Sequence, residues 1–338
     1  MRQIEIPKFG DPEVLRLAER PTPEPGPGEL RIAVAAAGVN FADLMARLGL
    51  YDKTPPLPAV MGWEVSGTIE AVGDGVSSDW VGVDVIALTH FGGYATHAIA
   101  SEQQVIRRPP GLDAITAAAV PVHGLSAWVL LDVMARVREG DRLLVHSAGG
   151  GLGLMVTQLA KSRGAYVVGT ASARKHAALH DMGIDRVVDY TTEDVGEVLA
   201  GEGFDVILDP LAGESWKTSF GLLRGGGKLL VYGYSGAVTG PTRRLGALVR
   251  TFRSIPWLLF NPFRLMRANQ AVMGMELEYM WGEADRVQAW FTKVVELADS
   301  GVMRPVVHAA VPLEHAAEAH RMIHARENFG KVVLVCDG

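Results

Sequence analysis

Along the first third of the chain, apolar residues come in short runs cut by glycine and proline. Leu30–Val34, Val65–Val72, Val83–Leu88 and Tyr94–Ala98 are the clearest runs, separated by turn-forming stretches such as PTPEPGPGEL and VGDGVSSD. Short runs rich in β-branched residues and bounded by turn formers predict strands of a compact β domain rather than strand–helix–strand units.

The pattern changes after His123. Strands are predicted at Leu143–His146, Tyr166–Thr170, Arg186–Asp189, Asp205–Asp209, Lys228–Tyr232 and Val272–Met275, with helices over Leu152–Arg163 and Arg174–Met182 between the first of them. Strands alternating with helices imply an α/β doubly wound parallel sheet, covered on both faces. The tail predicts helices over Ala284–Ser300 and Leu313–Arg326 and a last strand, Lys331–Cys336. This tail is expected to pack back onto the β domain. That domain then comprises residues 1–122 and 277–338, and the parallel-sheet domain residues 123–276.

Composition narrows the class. With 338 residues, 48% hydrophobic and 21% charged, the chain reads as a soluble globular protein of two ordinary domains. Cys336 is the one cysteine, so no internal disulfide can form and a reducing compartment is expected. A net charge of −6 and the absence of a recognition motif argue against nucleic-acid binding. The N-terminal MRQIEIPKFGDPEVLRL lacks the apolar core of a signal peptide, and no apolar run is long enough to cross a bilayer. A cytoplasmic location is the expectation.

The strongest motif is GDRLLVHSAGGGLGLMVTQLAKSRGAYVVGTAS. Ala148, Gly150 and Gly153 fall at the dinucleotide-binding spacing, with alanine in place of the first glycine, and Gly149, Gly151 and Leu152 fill the loop. Small residues here let the backbone approach a pyrophosphate, which then rests on the amides opening the next helix. A lone glycine pattern is weak, but this one follows a strand, opens a helix and precedes a second strand. NAD-binding chains usually place Asp or Glu about 20 residues further on to hold the ribose. Here the second strand ends Gly169-Thr170-Ala171-Ser172-Ala173-Arg174-Lys175, with hydroxyls and cations instead. These suit a ribose 2′-phosphate, Tyr190 is placed to close the same pocket, and NADPH is the expected cofactor.

Taken together, GVNFADLMARLGLYDKTPPLP, HSAGGGLG, GTASARKHAAL and ENFGKVVLV resemble the medium-chain dehydrogenase/reductase superfamily. Within it, the chain is similar to the quinone oxidoreductase group and its VAT-1-like branch. The resemblance implies a GroES-like catalytic domain beside a Rossmann domain, with the active site in the cleft between them. It also implies hydride transfer from NADPH to a quinone or another α,β-unsaturated carbonyl compound, and a homodimer. An enoyl-thioester reductase uses the same hydride step and is the alternative within that reading.

Zinc alcohol dehydrogenases of the superfamily use Cys and His-Glu ligands where this chain has Asn40 and Gly62-Trp63-Glu64. Cys336 alone cannot build a cysteine-rich zinc lobe, so no metal is expected. By the same resemblance Asn40 faces the nicotinamide, while Asp43 and Arg47 support the geometry as an ion pair one turn apart. Tyr51 matches a proton-donating tyrosine, with an aromatic wall as the equal alternative. Tyr232, Gly233, Ser235, Asn328, Gly330 and Lys331 match cofactor-contacting positions. Met45 replaces a tyrosine frequent in plain quinone reductases and implies a more apolar cleft.

The remaining features read as structural. His315, His320 and His324 share a C-terminal helix and are expected on its solvated face; His123 and His146 are expected to be structural, and Cys336 buried. Residues 243–267, RRLGALVRTFRSIPWLLFNPFRLMR, hold cations and apolar residues without one acid. They suit an ordinary sheet crossover, since Pro256 and Pro262 interrupt a long helix. A weak membrane-surface contact and a lipid-associated protein with little catalysis form the rival reading.

Overall fold

Backbone pairing along Glu29–Val39 organises the first of two units in this computed structural model, which describes residues 1–236, 253 and 260–336. The first unit holds the described residues of Met1–Leu125 and Met280–Gly338; the second holds those of Ser126–Thr239 and Arg244–Tyr279.

In the first unit a sheet runs in the order Val307–Pro312, Lys331–Val335, Glu29–Val39, Glu64–Val72, Asp84–Leu88 and Val105–Arg107, with His97–Ser101 also pairing to Glu29–Val39. Leu30, Ile32 and Val34 alternate into the core, as a half-buried strand requires. Beyond Ala35 both faces are buried, because the returning strand pairs antiparallel there, Val332 with Val39 and Val335 with Ala36. The strand therefore extends five residues past the predicted Leu30–Val34; Ala35–Gly38 are too small to carry a period. The strand predicted at Tyr94–Ala98 lies three residues later. Tyr94 is instead a fully buried core side chain whose N–H bonds Met61 O at 2.9 Å, and pairing with Glu29–Ala33 begins at His97.

The second unit is a six-stranded sheet in the order Arg186–Val188, Tyr166–Thr170, Arg142–Val145, Phe204–Asp209, Leu223–Val231 and Ala271–Gly274, every pair parallel. This is the expected doubly wound α/β sheet, with strands numbered 3-2-1-4-5-6 across it. The helix Gly151–Ser162 buries Leu154, Met155, Val156, Leu159 and Ala160. The predicted helix at Arg174–Met182 opens as a tight turn, Ala173–Lys175, before His176–Asp181. The fifth strand starts at Leu223 rather than Lys228, because Leu223 pairs with Phe204 before the register shifts across the glycine stretch to Val206 and Lys228.

Among the described residues no helix is long and apolar enough to cross a membrane. Most of the basic apolar segment 243–267 lies outside the described residues. At its described end, Phe260 packs on Trp216 and Phe220, and the helix Pro262–Ala268 exposes Phe263 and Met266.

Candidate functional site

In a sheet of this order ligands bind where the strand order reverses, outside the carboxyl ends of the first and fourth strands. The glycine loop sits there in the second unit. Ser147 takes a left-handed φ of 57°, Gly150 N–H closes a turn on Ser147 O at 2.9 Å, and Gly150 caps the helix Gly151–Ser162. A Cβ at Gly153 would stand 2.6 Å from Ser147 O and 2.7 Å from Ala148 Cα. No larger residue fits, so Gly153 lets the helix close on the loop. Ala148 itself is fully buried, and its methyl fills the space that a Cβ on Gly169 would need.

Beneath the loop lies a polar network that the sequence reading passed over. His146 pairs with Thr170 Oγ1 at 3.2 Å and with Ser219 Oγ at 3.0 Å. Ser219 and Ser215 donate to Asp209 Oδ2 at 2.7 and 2.6 Å, and Leu211 N–H donates to Asp209 Oδ1. Burial pushes His146 below its ordinary pKa, against the pull of Asp209. The network ties the ends of the first, second and fourth strands together under the glycine loop. Ser235 N–H and Oγ both donate to Pro210 O, which fixes the segment Tyr232–Ser235 over the same strand ends. Burial and the Asp209 charge raise Tyr232 far above the usual phenol range, so it stays protonated.

At the end of the second strand Thr170 is buried, Ser172 and Lys175 are half-buried and Arg174 is exposed. Tyr190 is also exposed. The fold adds one acid to this corner, Asp189, from the neighbouring strand end. It is spent locally: Thr191 donates to it through Oγ1 at 2.6 Å and N–H at 3.0 Å, and these bonds with that of Ala173 hold its carboxyl below the usual range.

The first unit gathers Asn40, Glu64 and Lys331. Lys331 Nζ contacts both Asn40 Oδ1 and Glu64 Oε1, and Asn40 Nδ2 donates to Glu64 Oε1 at 2.7 Å. Val122 N–H donates to Glu64 Oε2 at 2.7 Å. Lys331 is 2% exposed and Glu64 0%, so this is a buried ion pair. Burial pulls Lys331 down and the Glu64 charge pulls it back. Asn40 keeps one amide hydrogen beyond the one given to Glu64.

Asp43 and Arg47 do not form the expected ion pair. Asp43 instead accepts from Asn40 N–H and Gly62 N–H, each at 2.8 Å, and so fixes the helix start against the next strand; burial raises it to about 7. Arg47 points away and is fully buried. It donates to Gly10 O at 2.5 Å and His320 Nδ1 at 3.2 Å, with His324 Nε2 2.6 Å from its Nη2. Two of the three histidines expected on a solvated face are thus partners of a buried arginine. Tyr94 Oη lies 3.3 Å from His320 Nε2, and burial lowers Arg47 to about 10.

An acid sensitivity follows. Burial and the Arg47 charge lower His320 well below its ordinary value and His324 to about 4; burial and the Lys331 charge likewise lower His123. The unfolded chain therefore binds protons below about pH 6.5 that the folded protein refuses, and stability falls as pH drops through that range. Asp43, raised to about 7, acts in the opposite sense over the same window but is one group against five, since burial lowers His90 and His146 as well. The melting temperature should fall between about pH 7 and about pH 5, and less steeply in His324→Gln. A flat or rising profile would contradict this.

Tyr51 is half-buried and meets Trp63 edge-on, ring centroids 5.5 Å apart. Asn328 Nδ2 donates to Gly330 O at 2.7 Å, and Gly330, at φ 94°, turns the chain into the last strand. A Cβ at Gly330 would stand 2.1 Å from Val306 O. Among the described residues no group of three or more His, Cys, Asp or Glu could hold a metal ion.

Comparison with known proteins agrees with this architecture. Residues 26–110 match the alcohol dehydrogenase GroES-like domain, and residues 182–334 match a domain described as zinc-binding dehydrogenase. The synaptic vesicle membrane protein VAT-1 homolog of Mus musculus is 36% identical over 343 residues, covering 99% of this chain and 84% of that protein. The crystal structure of the human VAT-1 homolog-like protein superposes with a TM-score of 0.86 at 32% identity, over 100% of this chain and 98% of that one. Escherichia coli quinone oxidoreductase complexed with NADPH gives 0.85 at 28% identity, over 99% and 100% of the two chains.

Proposed function

The chain belongs to the medium-chain dehydrogenase/reductase superfamily, with VAT-1 homologues and quinone oxidoreductases as relatives, and from that premise we propose an NADPH-dependent, zinc-independent reductase of quinones or other α,β-unsaturated carbonyl compounds. One observation carries the cofactor half of this reading. The glycine loop opens a helix at the sheet's switch point, and the second strand ends in hydroxyls and cations with Asp189 already engaged. The NADPH held by the Escherichia coli relative supports the same choice.

Gly153 lets the helix close on the loop, and the half-buried Gly150, Gly151 and Leu152 at the helix start would carry the pyrophosphate. Ser172 and Lys175 would hold the 2′-phosphate, with Tyr190 beside them, while Thr170, buried and bonded to His146, would support the turn from below. Tyr232, Gly233, Ser235, Asn328 and Gly330 would complete the cofactor's contacts. When bound, NADPH supplies the hydride. The chain's own task is to orient the acceptor and stabilise negative charge on its oxygen. Asn40 has an amide hydrogen for that role, and Lys331 and Glu64 hold its amide in place. The same ammonium engages Glu64 and Asn40, two positions that a metal would have to recruit, which favours catalysis without zinc. The reading includes a cytoplasmic homodimer.

The test is NADPH oxidation with a naphthoquinone, an aliphatic enone and an enoyl thioester. Turnover with the first two, undiminished by a chelator, is the expected result; turnover with the thioester alone would shift the substrate class, and none at all would refute the reading. Tyr51 serves as a wall here, so Tyr51→Phe should keep turnover within about threefold. A fall of about 100-fold would make it the proton donor instead.

A further inference from the structure

We propose that His146 is a positioning residue for the cofactor: through Thr170 it sets the Ser147 turn, and so aims the helix start at the pyrophosphate. This rests on the NADPH reading and deepens it.

The partners fix where each hydrogen lies. Asp209 is fully buried and its carboxylate only accepts; Ser215 and Ser219 each give it their single hydroxyl hydrogen, at 2.6 and 2.7 Å. With that hydrogen spent, Ser219 Oγ can only accept from His146 Nε2, 3.0 Å away, so Nε2 carries the ring hydrogen. Burial lowers the His146 pKa against the pull of Asp209, and the neutral ring leaves Nδ1 bare. Thr170 Oγ1, 3.2 Å from Nδ1, donates to it and turns its lone pairs to Ser147 N–H at 3.4 Å. Donation thus runs in one direction from the glycine loop to Asp209.

Thr170 is where this chain of bonds meets the loop. Its carbonyl accepts Ala148 N–H at 3.1 Å while its hydroxyl accepts Ser147 N–H, so it holds two consecutive loop amides. Ser147 there keeps a left-handed φ of 57°, a conformation a non-glycine residue adopts only when its surroundings impose it. Ser147 O in turn accepts Gly150 N–H at 2.9 Å and closes the turn that opens the helix Gly151–Ser162. With the Ser147 and Ala148 amides spent on Thr170, an anion is left to the helix start.

The consequence is shared by every nucleotide that brings a pyrophosphate. Without an acceptor at the Nδ1 position the Thr170 hydroxyl turns away, Ser147 N–H loses its partner and the left-handed turn relaxes. The helix start then meets the pyrophosphate at a different angle. Ser172 and Lys175 are a separate set of contacts, so the preference between NADPH and NADH is untouched.

Calorimetric titration of NADPH and NADH into the parent and two variants tests this without relying on turnover. His146→Asn keeps an acceptor at the Nδ1 position and should bind both nucleotides within about threefold of the parent. His146→Gln moves its polar end to the Nε2 position. It should weaken both about 3–10-fold, as loss of one neutral hydrogen bond does, with stoichiometry and the NADPH-to-NADH ratio unchanged. A role confined to stability would lower the melting temperature and leave the affinities alone; that result, His146→Asn as weak as His146→Gln, or a loss for NADPH alone overturns the positioning role. A parent that binds neither nucleotide refutes the cofactor reading itself. A parent that binds NADPH no tighter than His146→Gln refutes the role of His146 and leaves that reading standing.

Discussion

Lys331→Met should cost about 3–5 kcal/mol of stability, the usual penalty for removing one partner of a buried ion pair. Glu64 is fully buried, and without Lys331 its carboxylate keeps Asn40 Nδ2 and Val122 N–H as donors but no counter-charge. The pair also joins the strand Lys331–Val335 to Glu64–Val72 across Glu29–Val39, so its loss should loosen the sheet that positions Asn40. Denaturant unfolding of the parent, Lys331→Met and Lys331→Met/Glu64→Gln checks this. The double variant should recover most of the loss, because the unpaired charge is gone. A single variant within about 1 kcal/mol of the parent would mean that the pair contributes little.

The second large effect concerns the cofactor. Lys175→Ala should weaken NADPH binding about 10–100-fold, the value of one charge-assisted contact of about 1.5–3 kcal/mol, and leave NADH unchanged. Ser172→Asp should act in the opposite direction on NADH, because it places a carboxylate where ribose hydroxyls are held. Parallel losses for both nucleotides would instead assign Lys175 to the stability of the turn Ala173–Lys175.

What could be read from the chain and what could not divides along sequence distance. Gly153 was legible because its constraint is local: a helix must close on Ser147 and Ala148 within a few residues. The six parallel strands were legible because each carries its own apolar run. The ion pair Lys331–Glu64 spans 267 positions and the Arg47–His320 bond 273, so no local pattern could join them. His320 and His324 lie on a helix with a polar face, which made solvation the natural expectation; only packing against the helix Phe41–Arg47 shows that they hold an arginine. Asp189 escaped notice for a related reason, since it reaches the cofactor corner from the adjacent strand.

The most direct test of the central claim is calorimetric titration of the purified protein with NADPH and with NADH at the same moderate ionic strength. Hydroxyls and cations at the end of the second strand predict NADPH binding at least about 10-fold tighter, the worth of a single 2′-phosphate contact. Equal affinity, or a preference for NADH, would contradict the account.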